Sequence, residues 1–143
     1  MSALWRGWTV ACLLLLSACA LQPPKDDSLY RELGERPGIN RIVEGMLINI
    51  AHDSRINRHF QHVEPLRLRD QLVLKFCMEA GGPCRYTGDS MAEVHKGQNI
   101  GKAEFNALVE DLIDSMNAQN VPVPAQNRLL ARLAAQRGDV IKK

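Results

Sequence analysis

Residues 81–97 read Gly81-Gly82-Pro83-Cys84-Arg85-Tyr86-Thr87-Gly88-Asp89-Ser90-Met91-Ala92-Glu93-Val94-His95-Lys96-Gly97. The opening Gly-Gly-Pro ends whatever helix precedes it, because proline cannot continue one and paired glycines break its regularity. Residues 83–89 carry no helical or strand period and read as irregular chain. Ser90 can cap a short helix that carries Met91, Val94 and His95, and Gly97 suits its end. A short helix ended by glycine can place a histidine against a flat cofactor, with its other nitrogen bonded to a backbone carbonyl or water, but residue type and spacing alone leave that role for His95 open.

Outward from this stretch the pattern is helical, with no convincing strand. Pro65 opens a helix whose Leu68, Leu72 and Phe76 share one side, with Leu66, Val73 and Ala80 nearby. Before it, Ser28 caps a short helix through Leu29, Tyr30 and Leu33 that Gly34 ends. Pro37 then opens a helix with Ile39, Ile42, Val43, Met46, Leu47 and Ile50 at three- and four-residue steps. Asp53-Ser54 breaks that stripe, and a short piece runs from Ile56 to Phe60. After the quoted stretch, Phe105, Leu108, Val109, Leu112, Ile113 and Met116 form the longest stripe. Asn120 and Val121-Pro122 close it. Pro124 starts a last helix with Leu129, Leu130, Leu133 and Ala134 inward. The expectation is one all-α domain over residues 28–143.

The 143-residue chain is 45% hydrophobic and 24% charged, as a packed globular domain requires. Its formal net charge of +2 includes Arg6, in a segment expected to be removed, so nothing in the balance argues for nucleic acid. No CxxC, CxxCH or GxGxxG pattern occurs, so zinc, covalent haem and dinucleotide sites lack motif support. His52, His59 and His62 gather around a predicted turn without helical zinc spacing and read as surface histidines. No Ser-His-Asp order or paired-carboxylate pattern stands out, and the scattered Lys and Arg read as solvated helix faces.

The N-terminus reads as an address. Arg6 is followed by an apolar run from Trp8 to Leu16, too short for a mature membrane span. Leu16-Ser17-Ala18-Cys19 resembles the lipobox of bacterial lipoproteins, which implies cleavage after residue 18 and acylation at Cys19. Ala20 then leans towards the outer membrane, facing the periplasm. Residues 19–27, with Pro23-Pro24, read as a tether.

The block from Gly81-Gly82-Pro83 through Tyr86-Thr87-Gly88 and Met91 to His95-Lys96-Gly97 resembles the signature of the group 1 truncated haemoglobins. Gly38-Ile39, Phe60, Phe105 with Leu108-Val109, and Val121-Pro122 match in order, so the resemblance covers roughly residues 28–140. It implies a two-over-two helical sandwich around one non-covalent haem b, with His95 as the iron ligand. Phe60 then packs on the haem face, Phe76 forms a pocket wall, and Tyr86 and Met91 sit beside the proximal side. The positions where many relatives carry a distal tyrosine and glutamine are Leu47 and Leu72 here, with Leu68 at the distal gate. Gln71 is adjacent but turned about 100° away on an ideal helix.

The implied function is binding of oxygen, nitric oxide or carbon monoxide, favoured over a dedicated enzyme. The alternatives are a nitric oxide dioxygenase or peroxidase-like catalyst, which needs a reductant or polar distal groups, and a haem-free envelope interaction module. In an envelope location Cys77, late in the distal helix, and Cys84, after a turn able to fold back, are candidates for a disulfide, two buried thiols being the other reading.

Overall fold

The computed structural model describes residues 25–143. The proposed signal segment 1–18, Cys19 and the tether as far as residue 24 lie outside the described residues. The described chain forms α1 (Ser28–Glu32), α2 (Glu35–His52), a 3-10 turn (Asn57–Phe60) and α3 (Pro65–Glu79). There follow α4 (Met91–Val94), α5 (Lys102–Ala118), α6 (Val123–Ala134) and a second 3-10 turn (Arg137–Asp139). No strand occurs among the described residues.

Helix α2 is the centre of the fold and packs against both α3 and α5, while α6 closes on α3 and α5. The two antiparallel pairs stack as a two-over-two helical sandwich. Its core takes Ile39, Ile42, Val43, Met46 and Ile50 from α2, Val73 and Phe76 from α3, Leu112 and Met116 from α5, and Leu129 from α6. Burial of such side chains contributes roughly 1.5–3 kcal/mol each before entropy is counted.

The α2–α5 crossing is close because of Gly45. A Cβ there would stand 2.4 Å from Ser115 Oγ. Ser115 is buried and its hydroxyl donates to the Ile42 carbonyl at 2.6 Å, bending one polar group into an apolar interface without leaving it unpaired. The buried face of α5 is Ala107, Asp111, Leu112, Ser115 and Met116, while Phe105, Leu108, Val109 and Ile113 of the expected stripe are half-buried. On α6, Ala134 is exposed rather than inward, because the helix ends there and the chain turns into the second 3-10 turn.

Gly81 and Gly82 answer to the N-terminal end of the domain. A Cβ on Gly81, which has φ of +85°, would lie 2.2 Å from the Asp26 carbonyl oxygen. One on Gly82 would meet the Tyr30 ring at 2.5 Å and Cys77 Sγ at 2.7 Å. Tyr30 N donates to Ala80 O at 3.1 Å, and Lys25 Nζ donates to Gly82 O at 3.3 Å. Residues 25–27, at the end of the expected tether, thus already lie against the domain.

A disulfide joins Cys77, in the last turn of α3, to Cys84, just past Gly-Gly-Pro, with the two Cα atoms 5.7 Å apart. It pins the start of the irregular stretch to the helix before it. Closing so short a loop is worth roughly 2–3 kcal/mol in the chain-entropy description. Cys84→Ser is expected to lower unfolding stability by about that amount. Peptide mapping should find Cys77 and Cys84 alkylated only after reduction; label on both without reductant would refute the bond in the native protein.

Candidate functional site

Helix α4 is one turn long and depends on its caps. Ser90 Oγ accepts from Glu93 N at 3.3 Å at the start, and His95 occupies the closing position. His95 N donates to Met91 O at 3.2 Å, and the ring adds a second bond to the same carbonyl, with Nδ1 2.7 Å away. A carbonyl only accepts, so Nδ1 carries a proton, and in the neutral ring Nε2 is the nitrogen with the lone pair. No described residue is a hydrogen-bond partner of Nε2. The turn beyond is fixed from afar: Gly97 N donates to Lys143 O at 2.9 Å and Lys142 N to Ile100 O at 3.0 Å. Gly97 has φ of +80°, a conformation that favours glycine.

An apolar cavity of about 320 Å³ opens between the end of α2, the 3-10 turn and the start of α3. Leu47, Phe60 and Leu68 line it together with Ile50, Ala51, Asn57, Gln61, Val63 and Pro65. Three residues singled out in the sequence on separate elements thus meet in one space. Phe60 is half-buried and packs on the core. Leu72 and Phe76 continue the Leu68 face of α3 at successive four-residue steps, Leu72 half-buried and Phe76 buried. His95 and Met91 are not part of this cavity's lining.

The 3-10 turn that carries Phe60 is held by a bond the sequence did not announce. His59 is not a free surface residue: its Nε2 donates to Glu104 at 3.0 Å, and Arg58 pairs with the same carboxylate. Glu104 also caps α5, accepting from Gly101 N at 2.8 Å. The Gly101 amide, His59 and Arg58 hold its carboxyl down to about 2. A depressed acid stabilises the fold above its unfolded pKa, so this tie is lost as the pH falls from near 4.5 towards 2. His52 and His62 are exposed.

Gln71 and Tyr86 form a separate group. Tyr86 Oη donates to Asp89 O at 2.9 Å, and Lys75 Nζ stands 5.3 Å from the ring centroid. Gln71 Oε1 is buried with no hydrogen-bond donor among the described residues, and a Cβ on Gly88 would lie 2.7 Å from it. Its side chain is therefore turned towards the irregular stretch, not into the Leu47–Leu68 cavity. Burial pushes the Tyr86 phenol up. Sequence reasoning missed Asn57 and Gln61, two amide side chains on the cavity wall; their nearness to Phe60 in the chain was the available signal.

The donor set limits the chemistry. Among the described residues no three His, Cys, Asp or Glu side chains converge to hold a metal ion. A lone imidazole with its proton on Nδ1 instead suits a metal that brings an equatorial ring of its own, and the half-buried leucines and phenylalanines suit the ring. The residues present therefore fit a haem.

The profile of the bacterial-like globin family matches residues 28–142. The chain is 28% identical over 107 residues to a group 1 truncated haemoglobin of Mycolicibacterium paratuberculosis, covering 75% of this chain and 79% of that protein. It is 27% identical over 116 residues to one from Nostoc commune, covering 81% and 98%. The crystal structure of a truncated haemoglobin from Tetrahymena pyriformis in its Fe(III) form superposes with a TM-score of 0.78 at 25% identity, over 80% of this chain and 98% of that one.

Proposed function

This chain belongs to the bacterial-like globin family, and from that premise we propose that it binds one non-covalent haem b through His95 and uses it to bind diatomic gases reversibly. Membership makes it a haem-binding globin. The observation that carries the finer reading is the bond between His95 Nδ1 and Met91 O, which leaves Nε2 as the free donor atom.

When bound, haem supplies an iron with a position open to oxygen, nitric oxide or carbon monoxide. The chain's own residues do the rest. The Met91 carbonyl fixes the rotation of the His95 ring and makes its free nitrogen a better donor. Phe60, Leu68, Leu72, Phe76, Met91 and Tyr86 supply apolar contact and exclude water. Leu47, Leu68 and Leu72 leave an uncharged space suited to a small neutral ligand.

None of the described residues that line the cavity is titratable. Peroxide chemistry relies on a positioned acid or base, so this composition favours gas binding over a peroxidase-like role. A nitric oxide dioxygenase would additionally need a reductant partner. Titration of the purified protein with haem should give a Soret band saturating at one equivalent, a haem b pyridine spectrum, and a reversible carbon monoxide shift in the ferrous form. No Soret band at any haem concentration would leave the interaction-module reading. Rapid mixing of the oxygenated form with nitric oxide separates binding from turnover.

The reading extends to the cell envelope, with residues 1–18 as a lipoprotein signal and Cys19 as the acylated anchor in the outer membrane. Two observations support it: Leu16-Ser17-Ala18-Cys19, and the Cys77–Cys84 disulfide, which suits an oxidising compartment. Labelled palmitate should enter the native protein and not Cys19→Ser; equal label in both removes the anchor.

A further inference from the structure

Between the C-terminal end of α2 and α5 lies a second depression, of about 490 Å³, lined by Asn49, His52, Asp53, Ser54, Arg55, Asp111 and Asp114. None of these residues lines the Leu47–Leu68 cavity. Asp111 belongs to the inward face of α5 and is only 6% exposed. Its Oδ2 is sealed from solvent with no hydrogen-bond donor among the described residues. A buried carboxylate oxygen without a donor is costly, and such atoms are rare in native proteins.

The neighbouring donors are committed elsewhere. Asn49 Nδ2 donates to Asp111's own backbone carbonyl at 3.0 Å, not to its carboxylate. Arg55, the one lysine or arginine among the lining residues, is held at 2.7 Å by both Asp53 and Glu110. The depression thus presents three carboxylates, from Asp53, Asp111 and Asp114, against one arginine that is already paired. Their summed field attracts positive charge. Metal ligation does not account for it, since no three acidic or histidine side chains converge among the described residues. The spread of acceptors over Asp53, Asp111 and Asp114 instead suits a larger cation with several N–H donors.

We propose that this depression binds an alkylammonium or guanidinium group, seated on the Asp111 carboxylate with Asp114 as the second acceptor. An N–H cation reaches this carboxylate from the depression, and a charge-assisted hydrogen bond at a desolvated position is stronger than a neutral one. Burial and the charges of Asp53, Asp114 and Glu110 push the Asp111 carboxyl up, with Arg55 opposing, so a bound cation also relieves like-charge crowding. The cation has two sources, a free amine or guanidine and an arginine or lysine on a partner protein, and the chemistry at Asp111 is the same for both.

Calorimetric titration of the full chain with methylguanidinium, butylammonium and a blocked glycine peptide bearing one central arginine tests this. Choline serves as a cation of equal charge without N–H donors. The expected result is saturable binding of the N–H cations, weakened about ten-fold in Asp111→Asn and several-fold in Asp114→Asn. Tighter binding of the peptide than of methylguanidinium identifies a protein-borne cation, and equal binding a free one. Unchanged Kd in Asp111→Asn, or choline binding as well as methylguanidinium, overturns the site. Where Asp111→Asn does not fold, the exposed Asp114→Asn decides, and an unchanged Kd there overturns it as well.

Discussion

His95→Ala is expected to lose haem, with affinity falling by well over the roughly 10–100-fold that removal of a mere supporting partner costs. The expectation rests on the free nitrogen at His95 Nε2 in a half-buried ring whose Nδ1 is fixed by the Met91 carbonyl. His59 is spent on Glu104, and His52, whose Nδ1 donates to the Ile48 carbonyl at 2.8 Å, has its ring exposed. Haem transfer to a stronger acceptor protein, followed at the Soret band, gives the rate of loss. His62→Ala, at an exposed position, should leave that rate unchanged. Added imidazole should restore part of the ferrous spectrum in His95→Ala, which a purely structural role for His95 does not predict. An unchanged ferrous spectrum in His95→Ala would remove the ligand assignment. Met91 contributes only its backbone carbonyl to the ring, so Met91→Leu should keep the spectrum.

How far the sequence carries the fold is clear from particular residues. The stripes of α2, α3 and α5 were legible because helical period and apolar burial coincide, and Pro65 and Gly-Gly-Pro mark the ends of α3. The reason for Gly81-Gly82 was not legible. It lies in Asp26 and Tyr30, more than 50 residues earlier, whose chain passes where a Cβ would stand. Asp111 and Ser115 escaped for a different reason. A stripe reading counts only apolar residues inward, whereas Ser115 is buried by a bond to Ile42 on another helix. His59 was read as surface because Glu104, its partner, is 45 residues away. The candidate site divides in the same way. Leu47, Phe60 and Leu68 were each named in the sequence and meet in one cavity, while Asn57 and Gln61 on the same wall needed the structure.

Those two amides sharpen the expectation for the gas ligand. Leu47→Tyr should slow oxygen release about ten- to a hundred-fold, the value of a charge-assisted hydrogen bond of roughly 1.5–3 kcal/mol. Distal hydrogen-bond donors are a main lever on haem proteins, and oxygen is the stronger acceptor than carbon monoxide when held there. Carbon monoxide release should therefore change far less in the same variant. The cavity of about 320 Å³ that Leu47 borders gives the added ring somewhere to go. The native protein, with Leu47, Leu68 and Leu72 in these positions, should hold oxygen weakly and oxidise quickly in its ferrous oxygenated state. Gln71 does not remedy this, because its buried amide oxygen faces the Tyr86–Gly88 stretch. Asn57 and Gln61 are the competing donors, since both line the space itself. Stopped-flow oxygen dissociation on Asn57→Ala, Gln61→Ala and Gln71→Ala decides the matter. Rates in all three that match the fast native rate support an apolar distal side. A slow native rate that rises sharply in any one of them shows a donor at work and refutes it.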